Sequence, residues 1–168
     1  MRNNHIHHEW RENATGRASR NLTSAIVTHP CFYDGQPKTP SPVVMWKGRM
    51  LDEGTDYEVT FANNVDAGVG KATIEGKGQY GGSVVVSFTI HPRHFANCEV
   101  TVVPSRLRKG EAHAPSVTVT DRGLGTTLVA GRDYEVAHTR AADGGVVSTT
   151  VYGKGNYTSL AIASTGNR

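Results

Sequence analysis

Few side chains in this sequence are placed where they could carry out covalent chemistry. His29 and Cys31 stand two residues apart, and an imidazole beside a thiol can generate a thiolate nucleophile. No third group that would orient the imidazole is legible, and the chain contains neither a Gly-x-Ser-x-Gly nor a His-Glu-x-x-His pattern. We therefore interpret His29 and Cys31 as residues of an edge strand, and we expect no catalytic residue and no enzymatic activity.

One glycine pattern has the form of a phosphate-binding loop. Residues 76–81 read Gly-Lys-Gly-Gln-Tyr-Gly, which matches G-x-G-x-x-G. That motif works only when a helix begins directly after it, because the helix N-terminus receives the pyrophosphate. Here a strand-like run, residues 83–86 (Ser-Val-Val-Val), follows instead. The pattern is therefore accidental, and we expect no nucleotide or other cofactor.

Oxygen-bearing side chains are frequent in the segments predicted as loops, and calcium binds such groups where they converge. The second half of the chain retains few side chains of this type, which favours solvated turn residues over a metal site. Three histidines in the polar N-terminal segment receive the same interpretation, so no metal is expected. The residues concerned are Asp52, Glu53, Asp56, Asn63, Asn64 and Asp66 in the loops and His5, His7 and His8 at the N-terminus.

Aromatic side chains provide the candidate ligand-binding residues. Trp46, Tyr33 and Tyr80, with Phe61 nearby in the pattern, could form a platform on which sugar rings stack. Trp46, however, alternates with Val44 along one predicted strand, and such alternation favours burial in a core. Both interpretations remain open at this point: a core tryptophan, or a carbohydrate-binding surface made by Trp46, Tyr33 and Tyr80.

Composition and charge exclude several classes of protein. The chain has 168 residues and a net charge of +3, with charged residues at 20%. Residues 21–91 carry five basic and seven acidic side chains, and residues 92–168 carry nine and six. Lys and Arg are therefore not concentrated as a nucleic-acid-binding face requires. No apolar run is long enough to span a membrane, and the N-terminus lacks the apolar core of a signal peptide.

The two cysteines, Cys31 and Cys98, do not occupy repeated positions. They could form one disulfide or remain two buried free thiols, and the latter is favoured because free cysteine behaves as a small apolar residue.

Two motifs occur twice, each time 77 residues apart. Gly-Thr-Asp-Tyr-Glu-Val at 54–59 recurs as Gly-Arg-Asp-Tyr-Glu-Val at 131–136, and Gly-Lys-Gly-Gln-Tyr at 76–80 recurs as Gly-Lys-Gly-Asn-Tyr at 153–157. A shared offset of this length indicates two tandem domains of roughly seventy to eighty residues rather than a solenoid.

Short apolar-alternating segments separated by Gly, Pro, Asn and Asp predict an all-β fold with no helix of useful length. Spacing of this kind is typical of β-sandwiches. The predicted strands are 25–29, 42–47, 56–62, 70–75, 83–91, 98–103, 115–120, 133–138, 146–152 and 159–163. The polar residues 1–23 are predicted to form a disordered leader.

The order of these motifs resembles a known family. Tyr-Asp-Gly at 33–35, the turn and strand at 51–59, the turn at 63–68 and the Gly-Lys-Gly segment at 76–82 are similar to the bacterial immunoglobulin-like repeats of surface proteins, of the YDG or mostly-bacterial-Ig type. The resemblance covers residues 25–91. The second copy keeps two motifs but has Lys-Gly-Glu at 109–111 in place of Tyr-Asp-Gly.

What the resemblance implies is two tandem Ig-like β-sandwiches, at 24–91 and 92–168, the second divergent and shortened. It implies a non-catalytic structural or adhesive module, acting as a stalk or spacer of an extracellular or cell-wall-associated bacterial protein. Cell-surface proteins or glycans are then the expected partners, without nucleic acid. The alternative is a carbohydrate-binding appendage of a secreted glycan-active enzyme.

Overall fold

The structure, a computed structural model, describes residues 20–103, 114–143 and 145–163, and it is all-β in these ranges. Strands alternate with turns throughout, and the only helical segment among the described residues is a 3-10 turn at Phe95–Asn97. The strands are β1 (Arg20–Asn21), β2 (Ala25–Ile26), β3 (Cys31–Phe32), β4 (Val43–Trp46), β5 (Arg49–Met50), β6 (Tyr57–Ala62), β7 (Gly68–Gly76), β8 (Tyr80–Gly81), β9 (Ser83–His91), β10 (Arg93–His94), β11 (Cys98–Val103), β12 (Ser116–Asp121), β13 (Thr126–Thr127), β14 (Tyr134–Arg140), β15 (Val146–Gly153), β16 (Tyr157–Thr158) and β17 (Leu160–Ala163).

The strands form small sheets whose order repeats along the chain. The first half contains a three-stranded sheet, β2-β4-β5, and a four-stranded sheet, β3-β9-β7-β6. The second half contains two three-stranded sheets, β11-β12-β13 and β14-β15-β17. Two further pairs are isolated, β1 with β8 and β10 with β16. Several small sheets of this kind are consistent with the β-sandwich class.

The chain divides into two compact units. Among the described residues, the first comprises 20–28, Ser41–Ala62 and Lys71–Ser87, and the second comprises His29–Pro40, Asn63–Gly70 and those from Phe88 onward. The second unit therefore includes two segments, 29–40 and 63–70, that the sequence predicts to belong to the first domain, 24–91. Within it, the ring centroids of Tyr33 and Tyr157 lie 5.8 Å apart, and Asn156 hydrogen-bonds to Asp66. The predicted domains 24–91 and 92–168 stay a prediction.

Alternation along the strands produces the cores. In the first unit, Val44, Leu51, Tyr57 and Ile74 are among the buried apolar residues. In β9, alternate residues are the less exposed set, namely Val84, Val86, Phe88 and Ile90. The second unit has its own cluster, made by Phe95, Val119, Leu128, Tyr134, Val151 and Tyr157. Each fully buried aliphatic side chain contributes about 1.5–3 kcal/mol of hydrophobic free energy.

The predicted leader, residues 1–23, lies outside the described residues as far as residue 19. The structure differs from the prediction at its end, because Arg20–Asn21 forms β1 and Leu22 is buried, with 6% of its surface exposed. The amide of Leu22 donates to the carbonyl of Gly81. One apolar side chain and a short strand pairing thus anchor a segment whose composition alone predicts disorder.

Candidate functional site

The repeated Gly-x-Asp-Tyr motif forms the same turn at both positions. The Asp56 carboxylate accepts from the amide of Asp52 at 3.1 Å, and the Asp133 carboxylate accepts from the amide of Val129 at 2.8 Å. In each turn the glycine amide donates to the tyrosine carbonyl at 2.7 Å. Both aspartates therefore bind local backbone amides at the start of a strand.

The tyrosine that follows each aspartate is a scaffold residue. Tyr57 and Tyr134 are 4% and 3% exposed, so both rings are buried. Their hydroxyls donate to backbone carbonyls, Tyr57 to Pro42 at 3.4 Å and Tyr134 to Val117 at 3.2 Å. Each ring therefore fills a core while its polar end is satisfied.

Each Gly-Lys-Gly segment connects two strands, and among the described residues no helix follows it as in a phosphate-binding loop. A side chain at Gly76 would place its Cβ 2.7 Å from the Gly81 backbone, so only glycine fits. Lys77 donates its amide to the Asp56 carbonyl at 2.8 Å, and its ammonium pairs with Glu58. Strand β9 follows, as the sequence predicts, after the short strand β8, which was not predicted. The equivalent segment makes the same contacts, with Lys154 bonded to Asp133 and paired with Glu135.

The candidate nucleophile is held as a strand residue. Cys31 is buried in β3, and its thiol lies 3.9 Å from the carbonyl oxygen of its neighbour His29. Cys98 is half-buried, and both cysteines are free thiols. Burial, together with the nearby Asp121 charge, raises the pKa of the Cys98 thiol to about 11. The Cys98 thiol therefore lacks the low pKa that marks a reactive cysteine.

The oxygen-bearing loop residues are predicted to be solvated, but Asp56 is buried, with 8% of its surface exposed, because its carboxylate accepts from the Asp52 amide. Within the described ranges, no group of three or more His, Cys, Asp or Glu side chains is arranged to hold an ion. The loop with Asn63, Asn64, Val65, Asp66, Ala67 and Val69 lines an open groove of about 440 Å³. Two of its polar groups are already occupied, since the Asn156 amide bonds both Asp66 and the Ala67 amide. His5, His7 and His8 lie outside the described residues.

The three aromatic candidates occupy different environments. Tyr80 is buried, at 3% exposure, and its ring packs edge-on against Trp46 with centroids 5.8 Å apart. Trp46 itself is half-buried. Tyr33 is half-buried in the second unit, where it packs on Tyr157. The structure thus brings Trp46 and Tyr80 together, and ligand binding by the three residues stays a prediction.

Two cationic side chains lie near the Trp46 ring and a third leaves the same face of the hairpin, and sequence reasoning did not identify them. The Arg20 guanidinium lies 5.2 Å from the centroid of the indole, and the Lys47 ammonium lies 4.8 Å from it. Arg49 is directly opposite Trp46 in the β4–β5 pairing, so the two side chains leave the hairpin on the same face. Arg20 also donates to the amide oxygen of Gln79.

The β4–β5 turn positions these cations. Lys47 and Gly48 both have positive φ, 46° and 80°, which is the type I′ geometry of a two-residue hairpin. Glycine adopts this backbone freely, while lysine adopts it at a cost. Neither Lys47 nor Arg49 pairs with a carboxylate in the part of the chain that the structure describes.

The second unit has an ion pair that sequence reasoning also missed. Asp121 is fully buried and accepts from the Arg93 guanidinium, from the amides of Gly123 and Leu124, and from the Tyr157 hydroxyl. The sequence does contain an indication of this arrangement. Arg-His-Phe at 93–95 matches Arg-Asn-Leu at 20–22, in β10 and β1 respectively, at an offset of 73.

The ionisation of this cluster follows from its contacts. Burial by itself raises the pKa of Asp121, but the hydrogen bonds from Arg93 and the amides of Leu124 and Gly123 outweigh burial and hold the pKa below its usual value. The hydrogen bond to Asp121 raises the pKa of Arg93. Burial and the Asp121 charge raise the pKa of Tyr157. The cluster is thus a closed arginine–carboxylate pair with a neutral tyrosine.

Comparison with protein-family models, with curated proteins and with solved structures finds no significant match to this chain. Among the described residues no helix is long and apolar enough to cross a bilayer.

Proposed function

We propose that this chain is a non-catalytic structural and adhesive module, two Ig-like β-sandwiches in tandem that serve as a spacer in a bacterial cell-surface protein. The tandem arrangement is supported by hydrogen bonds that recur at an offset of 77. The amides of Lys77 and Lys154 bond the carbonyls of Asp56 and Asp133, and Tyr80 and Tyr157 then bond back to Lys77 and Lys154.

The observation that carries the spacer role is the direction of three strand pairs. β1 pairs with β8, β3 with β9 and β10 with β16, all parallel, while the other named strand pairs with a described register are antiparallel. Each parallel pair ties the start of a repeat to its end. When the two ends of the chain are pulled apart, the hydrogen bonds of such a parallel pair are loaded at the same time and must break together. The hydrogen bonds of an antiparallel hairpin that is pulled open from its ends break one after another.

The absence of enzymatic activity is part of the proposal. It is supported by the positions of the histidine, cysteine and carboxylate side chains described above, which lie in strands and turns or form ion pairs. The open groove at 63–69 also differs from the concave, mostly apolar sites that bury small ligands. Location at the bacterial surface is proposed from the family resemblance.

Single-molecule force spectroscopy of the full chain tests the spacer role. We expect two unfolding events, each releasing about 70 residues and hence about 25 nm of contour length. Leu22→Ala should lower the force of one event, because Leu22 anchors β1, while Ile26→Ala, at an apolar residue that is 57% exposed, should leave both events unchanged. Extension of the wild-type chain without a force peak would contradict the proposal.

A carbohydrate-binding appendage of a secreted glycan-active enzyme is the second candidate. The half-buried Trp46, beside Arg20 and Lys47, is the observation that favours it. Loss of glycan binding in Trp46→Ala, with an unchanged melting temperature, would support this candidate.

A further inference from the structure

Trp46 in the first unit and Asp121 in the second unit occupy equivalent strand positions, but their surroundings differ. The amide of Leu51 bonds the Val44 carbonyl, and the amide of Leu128 bonds the Val119 carbonyl. Two residues beyond each carbonyl stand Trp46 and Asp121. The same strand position therefore carries an indole in one unit and a buried carboxylate in the other.

The arginine that reaches this position is neutralised in only one of the two units. Arg93 pairs with the fully buried Asp121. Arg20 instead lies against the rings of Trp46 and Tyr80, at 5.2 and 6.0 Å, and its described hydrogen-bond partner is the neutral Gln79. One arginine closes an ion pair, and the other retains a charge that an external anion can neutralise.

Like charges accumulate around this indole. The Arg20 and Lys47 cations both lie about 5 Å from the same ring centroid, so their separation is at most about one Debye length at 0.1 M salt, ~10 Å. Arg49 leaves the neighbouring strand on the same face. Arg20 and Lys47 gain from the ring quadrupole, but each of the three cations repels the other two. An anion bound among them would relieve that repulsion.

We propose that Arg20, Lys47 and Arg49, with Trp46 at their centre, bind an acidic polysaccharide whose sugars carry carboxylate groups. The cations hold the carboxylates, and the exposed part of the indole packs against a sugar ring. This proposal rests on the adhesive part of the proposed function and assigns that role to the first unit, since the second unit closes the matching position with Asp121.

Charge density favours a polysaccharide over nucleic acid. Outside the cation cluster, residues 21–91 carry seven acidic and three basic side chains, so a ligand that extends beyond the cluster meets a net negative domain. Duplex DNA has one charge per ~1.7 Å of its axis and would be repelled there. A polyuronate, which carries one charge per sugar ring, places fewer charges along the same surface.

Isothermal titration and affinity electrophoresis of the full chain test the proposal, with polygalacturonate as the probe and its methyl-esterified form as the neutral control. We expect polygalacturonate to bind with a dissociation constant of about 0.1–1 mM, the methyl ester not to bind, and affinity to fall as salt screens the charges. Lys47→Asn, which suits the positive φ, and Arg49→Gln should each weaken binding about threefold to tenfold.

Lys154→Gln is the matched control, because it removes an equally exposed lysine charge that is paired with Glu135; it should leave binding unchanged. Binding that survives esterification, that is insensitive to both cation variants, or that is tighter for single-stranded DNA or anionic vesicles would overturn the proposal. A wild-type chain that fails to bind but still unfolds in two force events would refute this inference alone, and the spacer role would stand.

Discussion

Replacing Asp121 with alanine is the most discriminating test of how the second unit is held together. The carboxylate is fully buried and has five donors: two guanidinium nitrogens of Arg93, the amides of Gly123 and Leu124, and the Tyr157 hydroxyl. Asp121→Ala removes every one of these acceptor contacts at once. The Arg93 side chain, which is only 21% exposed, then keeps a charge without its partner.

The expected loss is about 3–4 kcal/mol of unfolding free energy. Breaking a buried ion pair by removing one partner costs about 3–5 kcal/mol, and the lower part of that range applies because Arg93 retains some contact with water. A unit of about 100 residues is stabilised by only about 5–15 kcal/mol. The substitution should therefore lower the melting temperature of this unit by more than about 10 °C.

Urea denaturation at pH 7, followed by circular dichroism, measures this loss. Glu99→Ala is the control, because Glu99 pairs with Arg122 on the surface, where both side chains are about half exposed or more, and it should cost less than about 1 kcal/mol. A loss below about 1 kcal/mol for Asp121→Ala would refute the argument that the buried pair stabilises the unit.

The pH dependence separates loss of charge from loss of volume. Because the folded-state pKa of Asp121 is lowered, its contribution is complete above the unfolded-state value of about 3.9 and is lost as the pH falls through the folded-state pKa. The unfolding free energies of wild type and Asp121→Asn should therefore differ most at neutral pH, and this difference should shrink as the pH falls below about 4. If the difference in unfolding free energy is the same at pH 7 and pH 2.5, the stabilisation comes from the packing of the side chain and not from its charge.

Further predictions concern single buried groups. Tyr57→Ala and Tyr134→Ala should each cost about 3–5 kcal/mol and the phenylalanine variants about 1 kcal/mol, by chemical denaturation; losses under about 1 kcal/mol for both alanine variants would place these rings outside the cores. Gly70→Ala should cost about 1–3 kcal/mol, because its Cβ would overlap the Phe88 ring; an unchanged melting temperature would contradict this. Cys98, with its pKa raised to about 11, should react with iodoacetamide at pH 8 about a hundredfold more slowly than the urea-unfolded thiol, and equal rates would contradict its burial.

Much of the β architecture could be predicted from local sequence. Alternation along β6 and β9 marks which side chains face a core, because successive residues of a strand point to opposite faces. Glycines such as Gly54 and Gly131, with φ near 84° and 83°, mark turns whose backbone other residues avoid. The long strands were therefore predictable to within a few residues.

The two-residue strands were not predictable in this way. A pair such as β1 with β8 or β10 with β16 has no periodicity to detect, and its partner lies about sixty residues away in the chain. Its formation depends on the backbone groups that the longer strands leave unpaired near their ends.

The sequence by itself determined the all-β class, the two turns with their buried tyrosines, and the glycine segments, since each follows from the conformational preference or polarity of adjacent residues. Only the tertiary structure decided the surroundings of Trp46 and Asp121. The sequence places Arg20 and Lys47 at unrelated positions, and Arg93 stands 28 residues from Asp121. Strand pairing brings Arg20 and Arg93 to equivalent positions, where one meets an indole and the other a carboxylate. The distance between side chains so far apart in the chain depends on which strands pair and in which register, not on the residues adjacent to each arginine.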